Sequence, residues 1–249
     1  PGLLVVIPAR NEAGVLGECL PSLVAQSGAF SRLVLVDDRS TDDTRAVASA
    51  IAAGAPEPGK ISVIAGEEPP RGWTGKTHAL ATGLRAAGGS FEWILFTDAD
   101  IRHPPGSIAA LLEKATSECR DLVSVMVRLR AETFWEKLLI PPFVWFFQLL
   151  YPFRRVAEPA SRVAAAAGGC ILIKCEMLEK AGGLEAIRSA VIDDVGLAKL
   201  VKRSGGSLWL GLDPEMLSLR GYANLREITR MVARTAFDQL VYRYSLVIG

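Results

Sequence analysis

Three sets of paired carboxylates stand out in the chain: Asp37-Asp38, Asp98-Ala99-Asp100 and Asp193-Asp194. Two aspartates one residue apart at a strand end can hold a hard divalent cation, directly or through water, and that cation can bind a diphosphate. Aspartate is equally at home in a solvated turn after a strand, so this triplet alone says little. Asp37 and Asp38 offer acceptors to a base N–H or a ribose hydroxyl, although acids after a strand also cap helices, as Asp42 and Asp43 are expected to do for the helix that follows. Adjacent acids repel, so one of Asp193 and Asp194 should have a raised pKa, as a general base needs. The same pair also suits an N-cap followed by a first-turn acid.

The elements that must position these acids alternate between strand and helix. Apolar runs at Leu3 to Ile7, Leu33 to Val36, Ile61 to Ile64 and Trp93 to Phe96 read as buried strands. Helical patterns fill Gly14 to Ala25, the stretch after Ser40-Thr41-Asp42-Asp43, and Lys76 to Ala87. Such repeats predict an α/β fold with a mostly parallel sheet and helices on both faces. Ligands then bind beyond the carboxyl ends of the strands. Here those ends carry Arg10-Asn11-Glu12, Asp37-Asp38 and Asp98 to Asp100, which places the site on one rim. The second half is less regular. It offers a strand at Leu122 to Val127, a small-residue stretch at Ala164 to Gly169, a helix at Asp194 to Lys202, a strand at Ser207 to Leu210 and a late helix from Asn224. One domain is expected over residues 1–249, with a nucleotide half (1–100) and an acceptor half (101–249). The abrupt ends suggest a piece of a longer, membrane-associated parent.

Composition narrows the function. With 249 residues, half of them hydrophobic, the chain can bury a large core and is neither disordered nor fibrous. Twenty-eight basic residues against 27 acidic ones leave a net charge of +1, so nucleic acid is not expected as a partner and any anion must meet a local site. Four cysteines without a CxxC pair and two histidines argue against structural zinc. Unpatterned cysteine fits a reducing compartment. His103 follows Asp100 by three residues and has two readings: a third metal ligand, or the favoured cap of a helix at Pro104-Pro105.

Taken in order, five motifs resemble the family 2 glycosyltransferases: Val5 to Glu12, Val36 to Thr44, Gly75-Lys76, Asp98-Ala99-Asp100 and Ile192-Asp193-Asp194. Within that family the chain looks most like the lipid-directed hopanoid-associated and ceramide glucosyltransferase-like branch. The resemblance implies a GT-A fold, Rossmann-like, with an apolar acceptor-side insertion. It further implies a nucleotide sugar (usually UDP-linked) as donor and inversion at the anomeric carbon. Carried over by position, Pro8, Arg10 and Glu12 line the nucleotide pocket, Asp38 faces the uracil with Asp37 beside it, and Lys76 approaches the nucleotide or its phosphates. Asp98 and Asp100 would hold the sugar nucleotide and Mg²⁺ or Mn²⁺. Asp194 matches the base that deprotonates the acceptor, with Asp193 replacing the family's glutamate. Gly168 and Gly169 look like the small-residue segment of the acceptor pocket, although tight core packing explains them equally well. Arg234 stands where a family arginine clamps the diphosphate, but the tryptophan that follows it in processive members is missing, which favours single-sugar transfer.

Residues 134–153 are apolar and aromatic, and Arg154-Arg155 follow. The run is too short to span a bilayer and is interrupted by Pro141-Pro142. A mean hydropathy of +0.27 and the aromatics beside paired arginines favour a membrane-interface segment (134–155) over a buried helix. Trp145, Phe146 and Phe147 are expected on its exposed side. The resulting expectation is an inverting transferase that moves one sugar to a lipid acceptor at the cytoplasmic membrane face. Its rivals are a nucleotidyltransferase, which usually has a glycine-rich loop after the first strand, and an inactive nucleotide-sugar-binding subunit.

Overall fold

The computed structural model describes residues 2–190, 193–222 and 224–239, with side chains as far as 233 in the last helix. Its centre is an eight-stranded sheet in the order β3-β2-β1-β4-β7-β6-β8-β5. The strands are β1 (Leu3–Ala9), β2 (Arg32–Asp37), β3 (Ile61–Ala65), β4 (Trp93–Thr97), β5 (Ile101–Arg102), β6 (Leu122–Leu129), β7 (Cys170–Lys174) and β8 (Leu208–Ser218). Strands β1 to β4 are mutually parallel, and β6 pairs with β8 in the same sense. Only β7 and the two-residue β5 run against their neighbours. The predicted α/β class with a mostly parallel sheet is therefore what is observed.

Both faces of the first strands are covered, which is why they read as unbroken apolar runs. Leu4, Val6, Val34 and Val36 point to one face, beneath α3 (Gly75–Ala87), and further along the same face α8 (Asp193–Arg203) covers β8. Leu3, Val5, Leu33 and Leu35 point to the other, against α1 (Ala13–Val24), α2 (Thr44–Ala53) and α4 (Ser107–Ser117). Helix α3 lies so close to the sheet that a Cβ on Gly83 would fall 2.5 Å from Val6 Cγ1, so only glycine fits there.

The direction of each strand decides what reaches the rim. Strands β1, β2, β4 and β8 all end there. Because β7 is antiparallel to β4, it begins there, bringing Gly168 and Gly169 to the same edge. Strand β7 was not expected at residues 170–174, and the strand expected at Ser207 to Leu210 runs on as β8 to Ser218 across a register shift at Val127/Arg128.

Helix α5 (Phe134–Leu150) corrects a second expectation: Pro141 and Pro142 do not interrupt it. Each proline removes one backbone hydrogen bond, leaving the carbonyls of Lys137 and Leu138 without a helical donor. These four residues are all exposed, so the freed carbonyls can turn to solvent. The helix starts with a capping box in which Thr133 accepts from Glu136 N–H and Glu136 accepts from Thr133 N–H. Short helices α6 (Phe153–Ala157) and α7 (Cys175–Lys180) and the late α9 (Leu225–Gln239) complete the described residues. No helix among them is long and apolar enough to cross a membrane.

Candidate active site

The rim carries three linked groups of side chains. In the first, Asp37 and Asp38 close β2. Ser40 N–H donates to Asp37 Oδ1 at 3.2 Å, so Asp37 stabilises its own turn. Asp38 is buried and faces two cations: Arg39 Nε at 3.2 Å and the largely exposed Arg10 at 3.8 Å. A Cβ on Gly75 would lie 2.8 Å from Asp38 Oδ2, so glycine at the start of α3 is what lets that carboxylate approach the helix end. The neighbouring turn is latched by Asn11, which adopts φ 56° and accepts from Thr41 N–H at 2.8 Å. The left-handed backbone favours asparagine among non-glycine residues.

The second group contains the predicted base. Thr74 caps α3 by accepting from Thr77 N–H, which fixes Lys76 in the first turn. Lys76 Nζ lies 2.7 Å from Asp98 Oδ1 and 3.9 Å from Asp193 Oδ2. Burial would lower its pKa, but Asp98 and Asp193 outweigh it and hold the ammonium above its ordinary value. Lys76 therefore sits among the carboxylates of the rim. Asp194 is pushed up to about 7, mainly by burial and then by Asp193, with Lys76 opposing. Val195 N–H donates to Asp194 Oδ1 at 2.7 Å. Gly168 backs onto this carboxylate, and Pro8 lines the same small cavity as Lys76, Asp98 and Asp194. Thr74 N–H donates to Arg188 O at 2.7 Å, tying the loop before Lys76 to the segment that leads to Asp193.

The third group surrounds Asp100. Its backbone carbonyl accepts from Leu219 N–H at 2.9 Å, and Ser218 Oγ donates to Asp100 Oδ2 at 2.7 Å. Arg220 follows, hydrogen-bonded to Glu12 and with Nε 3.5 Å from Asp100 Oδ2. Burial raises Glu12 to about 7, with Asp100 and Asp98 adding to the rise and Arg220 opposing it.

Gly169 supports the DxD turn directly, since its carbonyl accepts from Asp98 N–H at 3.2 Å and from Thr97 Oγ1 at 2.9 Å. The single Thr97 hydroxyl proton is thereby used, so His103 Nε2, 2.9 Å away, must be the donor to Thr97 Oγ1. Burial holds His103 down to about 4, which keeps it neutral. His103 is thus neither a metal ligand nor a helix cap: it is a buried strut beneath the DxD turn.

The donors around Asp98, Asp100 and Glu12 are all oxygens, which suits Mg²⁺ or Mn²⁺. Among the described residues no three ligating side chains form a closed cluster. That also fits, because such ions are commonly held by one or two carboxylates and completed by substrate phosphates.

The site therefore joins Pro8, Glu12, Lys76, Asp98, Asp100, Gly168, Gly169, Asp193 and Asp194, with Arg10, Asp37 and Asp38 along the same rim. Arg234 lies on α9, but its side chain falls outside the described residues. Sequence reasoning missed Arg220 and Ser218, and placed Asn11 on the rim without a role. A polar Arg-Gly pair just past a strand end was the only signal for Arg220.

Residues 4–182 match the model of Glycosyl transferase family 2. The chain belongs to that family. Among curated relatives, it is 32% identical over 136 residues to an undecaprenyl-phosphate 4-deoxy-4-formamido-L-arabinose transferase of Sodalis glossinidius, covering 53% of this chain and 39% of that protein. It is also 32% identical over 99 residues to a 4,4'-diaponeurosporenoate glycosyltransferase of Staphylococcus aureus, covering 40% of this chain and 24% of that one. The chain thus spans about two fifths of the length of the first curated relatives it matches. In fold it is similar to the mannosyltransferase PcManGT of Pyrobaculum calidifontis, solved with GDP-Man and Mn²⁺, at TM-score 0.69 and 23% identity over 98% of this chain and 65% of that one. It also resembles the glucosyl-3-phosphoglycerate synthase of Mycobacterium tuberculosis, solved with Mn²⁺ and UDP-glucose, at TM-score 0.59 and 22% identity over 96% and 79%. The family 2 chain has the GT-A fold expected of it, and the nucleotidyltransferase alternative is set aside.

Proposed function

We propose that this family 2 enzyme is an inverting glycosyltransferase that moves one sugar from a nucleotide sugar, UDP-linked, to a lipid acceptor at the cytoplasmic membrane face. The observation that carries the reading is the placement of Asp194, a half-buried carboxylate raised to about 7, across Gly168 from the Lys76–Asp98 pair. Residues 1–100 supply the donor side and residues 101–249 the acceptor side of one catalytic unit.

In this reading Arg10, Asp37 and Asp38 border the nucleoside, and Asp98 and Asp100 hold the diphosphate end together with Mg²⁺ or Mn²⁺. The cation, when bound, offsets charge on the departing diphosphate. Lys76 keeps Asp98 and Asp193 in place and biases Asp194 toward ionisation. Asp194 accepts the proton of the acceptor hydroxyl as its oxygen attacks the anomeric carbon. The new glycosidic bond forms opposite the breaking bond to the diphosphate, so configuration inverts. By the family resemblance alone, Arg234 would clamp the departing diphosphate.

The lipid acceptor draws support from relatives named for undecaprenyl-phosphate and diaponeurosporenoate, and from α5. Phe134, Leu138, Trp145 and Leu149 are exposed at helical spacing, with Trp135 and Phe146 beside them. Arg154 and Arg155 are exposed on α6, close enough in sequence to meet anionic headgroups. Phe147 corrects the expected exposure: it is buried, packs on Tyr151, and anchors the helix to the core. The hopanoid-like placement rests on the motif resemblance alone.

The test is a panel of nucleotide sugars with polyprenyl, sphingoid and hopanoid-type alcohols in detergent or vesicles. The expected products are a nucleoside diphosphate and a glycolipid of inverted anomeric configuration. Retained configuration would sink the mechanism, and transfer confined to water-soluble acceptors would sink the lipid assignment.

A further inference from the structure

Asp100 and Glu12 are already bridged by a cation of the chain's own. Arg220 hydrogen-bonds Glu12 through Nη2, and its Nε lies 3.5 Å from Asp100 Oδ2. Asp100 is buried, and Ser218 donates to that same Oδ2. With Asp98 close by, these acids would repel one another without a positive group between them. Arg220 provides it, although its side chain remains half exposed. Its backbone is fixed, since Ser218 pairs with Ile101 and Leu219 N–H donates to Asp100 O. Any departure of the guanidinium is therefore a side-chain rotation into open solvent.

A divalent cation held at the DxD turn would draw on this same Asp100 carboxylate. A guanidinium and a dication beside one carboxylate repel, so the two compete for it. We propose that Arg220 is a resident counter-ion that competes with the divalent cation for Asp100 and Glu12. It yields when the cation arrives with a nucleoside diphosphate, whose oxygens offer the guanidinium an equivalent two-pronged partner. Cation binding and nucleotide binding then reinforce each other, and by linkage the reinforcement is reciprocal. This inference rests on the reading that Asp98 and Asp100 serve a metal–nucleotide donor.

The experiment measures Mn²⁺ affinity of the full chain by electron paramagnetic resonance of the free ion, with and without saturating UDP. It compares wild type, Arg220→Gln and Arg220→Lys. Wild type should bind Mn²⁺ weakly alone and at least ~10-fold more tightly with UDP. Arg220→Gln should bind Mn²⁺ alone ~10-fold more tightly than wild type, with the UDP effect largely gone. Arg220→Lys, a cation without the two-pronged geometry, should fall between them, and it carries the comparison if the glutamine variant does not fold. Equal nucleotide-free Mn²⁺ affinity in wild type and the folded variants would overturn the proposal while leaving the metal reading intact. No Mn²⁺ binding by wild type with UDP present would overturn the metal reading and this inference with it.

Discussion

Gly168 backs directly onto Asp194: a Cβ at position 168 would lie 3.0 Å from Asp194 Oδ2 and 3.3 Å from Lys76 Nζ. One methyl group there must displace the carboxylate, the ammonium or the strand start. Small misplacements of a reacting group cost rate steeply, so Gly168→Ala should lower transfer by ~10-fold or more. The melting temperature should change little, because the methyl group meets flexible side-chain ends. Full activity in Gly168→Ala would mean that the position of Asp194 does not govern the reaction.

Asp194→Asn keeps the shape but removes the proton acceptor. Transfer should fall by ~10²-fold or more while UDP-sugar binding stays near wild type. The base works only when ionised, so the wild-type rate should climb with pH and level off above about 7. Lys76 lowers the Asp194 pKa, so Lys76→Met should move that midpoint to higher pH. Kinetics across pH 5.5 to 9 would read both effects, and an unmoved profile in Asp194→Asn would transfer the role to Asp193.

Asp100→Ala should weaken metal-dependent UDP binding and leave the circular dichroism spectrum unchanged. Calorimetry in EDTA and in Mn²⁺ makes the comparison. Equal UDP affinity under both conditions in the wild type would remove the metal from the donor site.

The aromatic helix divides cleanly into an outer and an inner side. Trp145 is 63% and Phe146 38% exposed, whereas Phe147 is 6% exposed. Replacing Trp145 and Phe146 with serine should reduce binding to anionic liposomes with little change in melting temperature. Phe147→Ser should do the opposite, because losing a buried phenylalanine costs ~3–5 kcal/mol. Unchanged vesicle flotation in the double variant would leave the lipid acceptor supported by relatives alone.

Glu136 joins α5 to the strand end that carries Arg220. It is buried, and Tyr222 N–H donates to its Oε1 at 2.8 Å, alongside N–H groups of Glu132 and Thr133. Burial works to raise its pKa, yet these backbone donors hold it down to about 2 from an ordinary 4.5. A depressed carboxylate contributes stability above its unfolded value and loses that contribution as pH falls through the folded one. The wild type should therefore lose this contribution between about pH 4.5 and 2. Glu136→Gln should melt lower at pH 7, by ~2–4 °C for each kcal/mol lost, and should narrow its gap to wild type toward pH 2. Parallel melting curves for the two proteins across that range would refute the assignment.

The strand–helix order of the first hundred residues was legible because each element announces itself locally: apolar runs ending in acids, then caps and helical periodicity. The same local signals put Asp37, Asp38, Asp98 and Asp100 at strand ends, and strand ends of a parallel sheet share one rim. The family motifs added Asp194, whose distance to that rim no local pattern encodes. Tertiary structure alone decided the rest. Antiparallel pairing of β7 turned Gly168 and Gly169 toward Asp98 and Asp194, and burial took His103 under Thr97 and Phe147 into the core. The proline pair stayed within α5 because its freed carbonyls lie on an exposed side. Arg220 meets Glu12 from 208 residues away, and Ser218 meets Asp100 from 118. Periodicity and capping act over a few residues, whereas a contact across such distances exists only once the sheet has set which strand ends lie side by side.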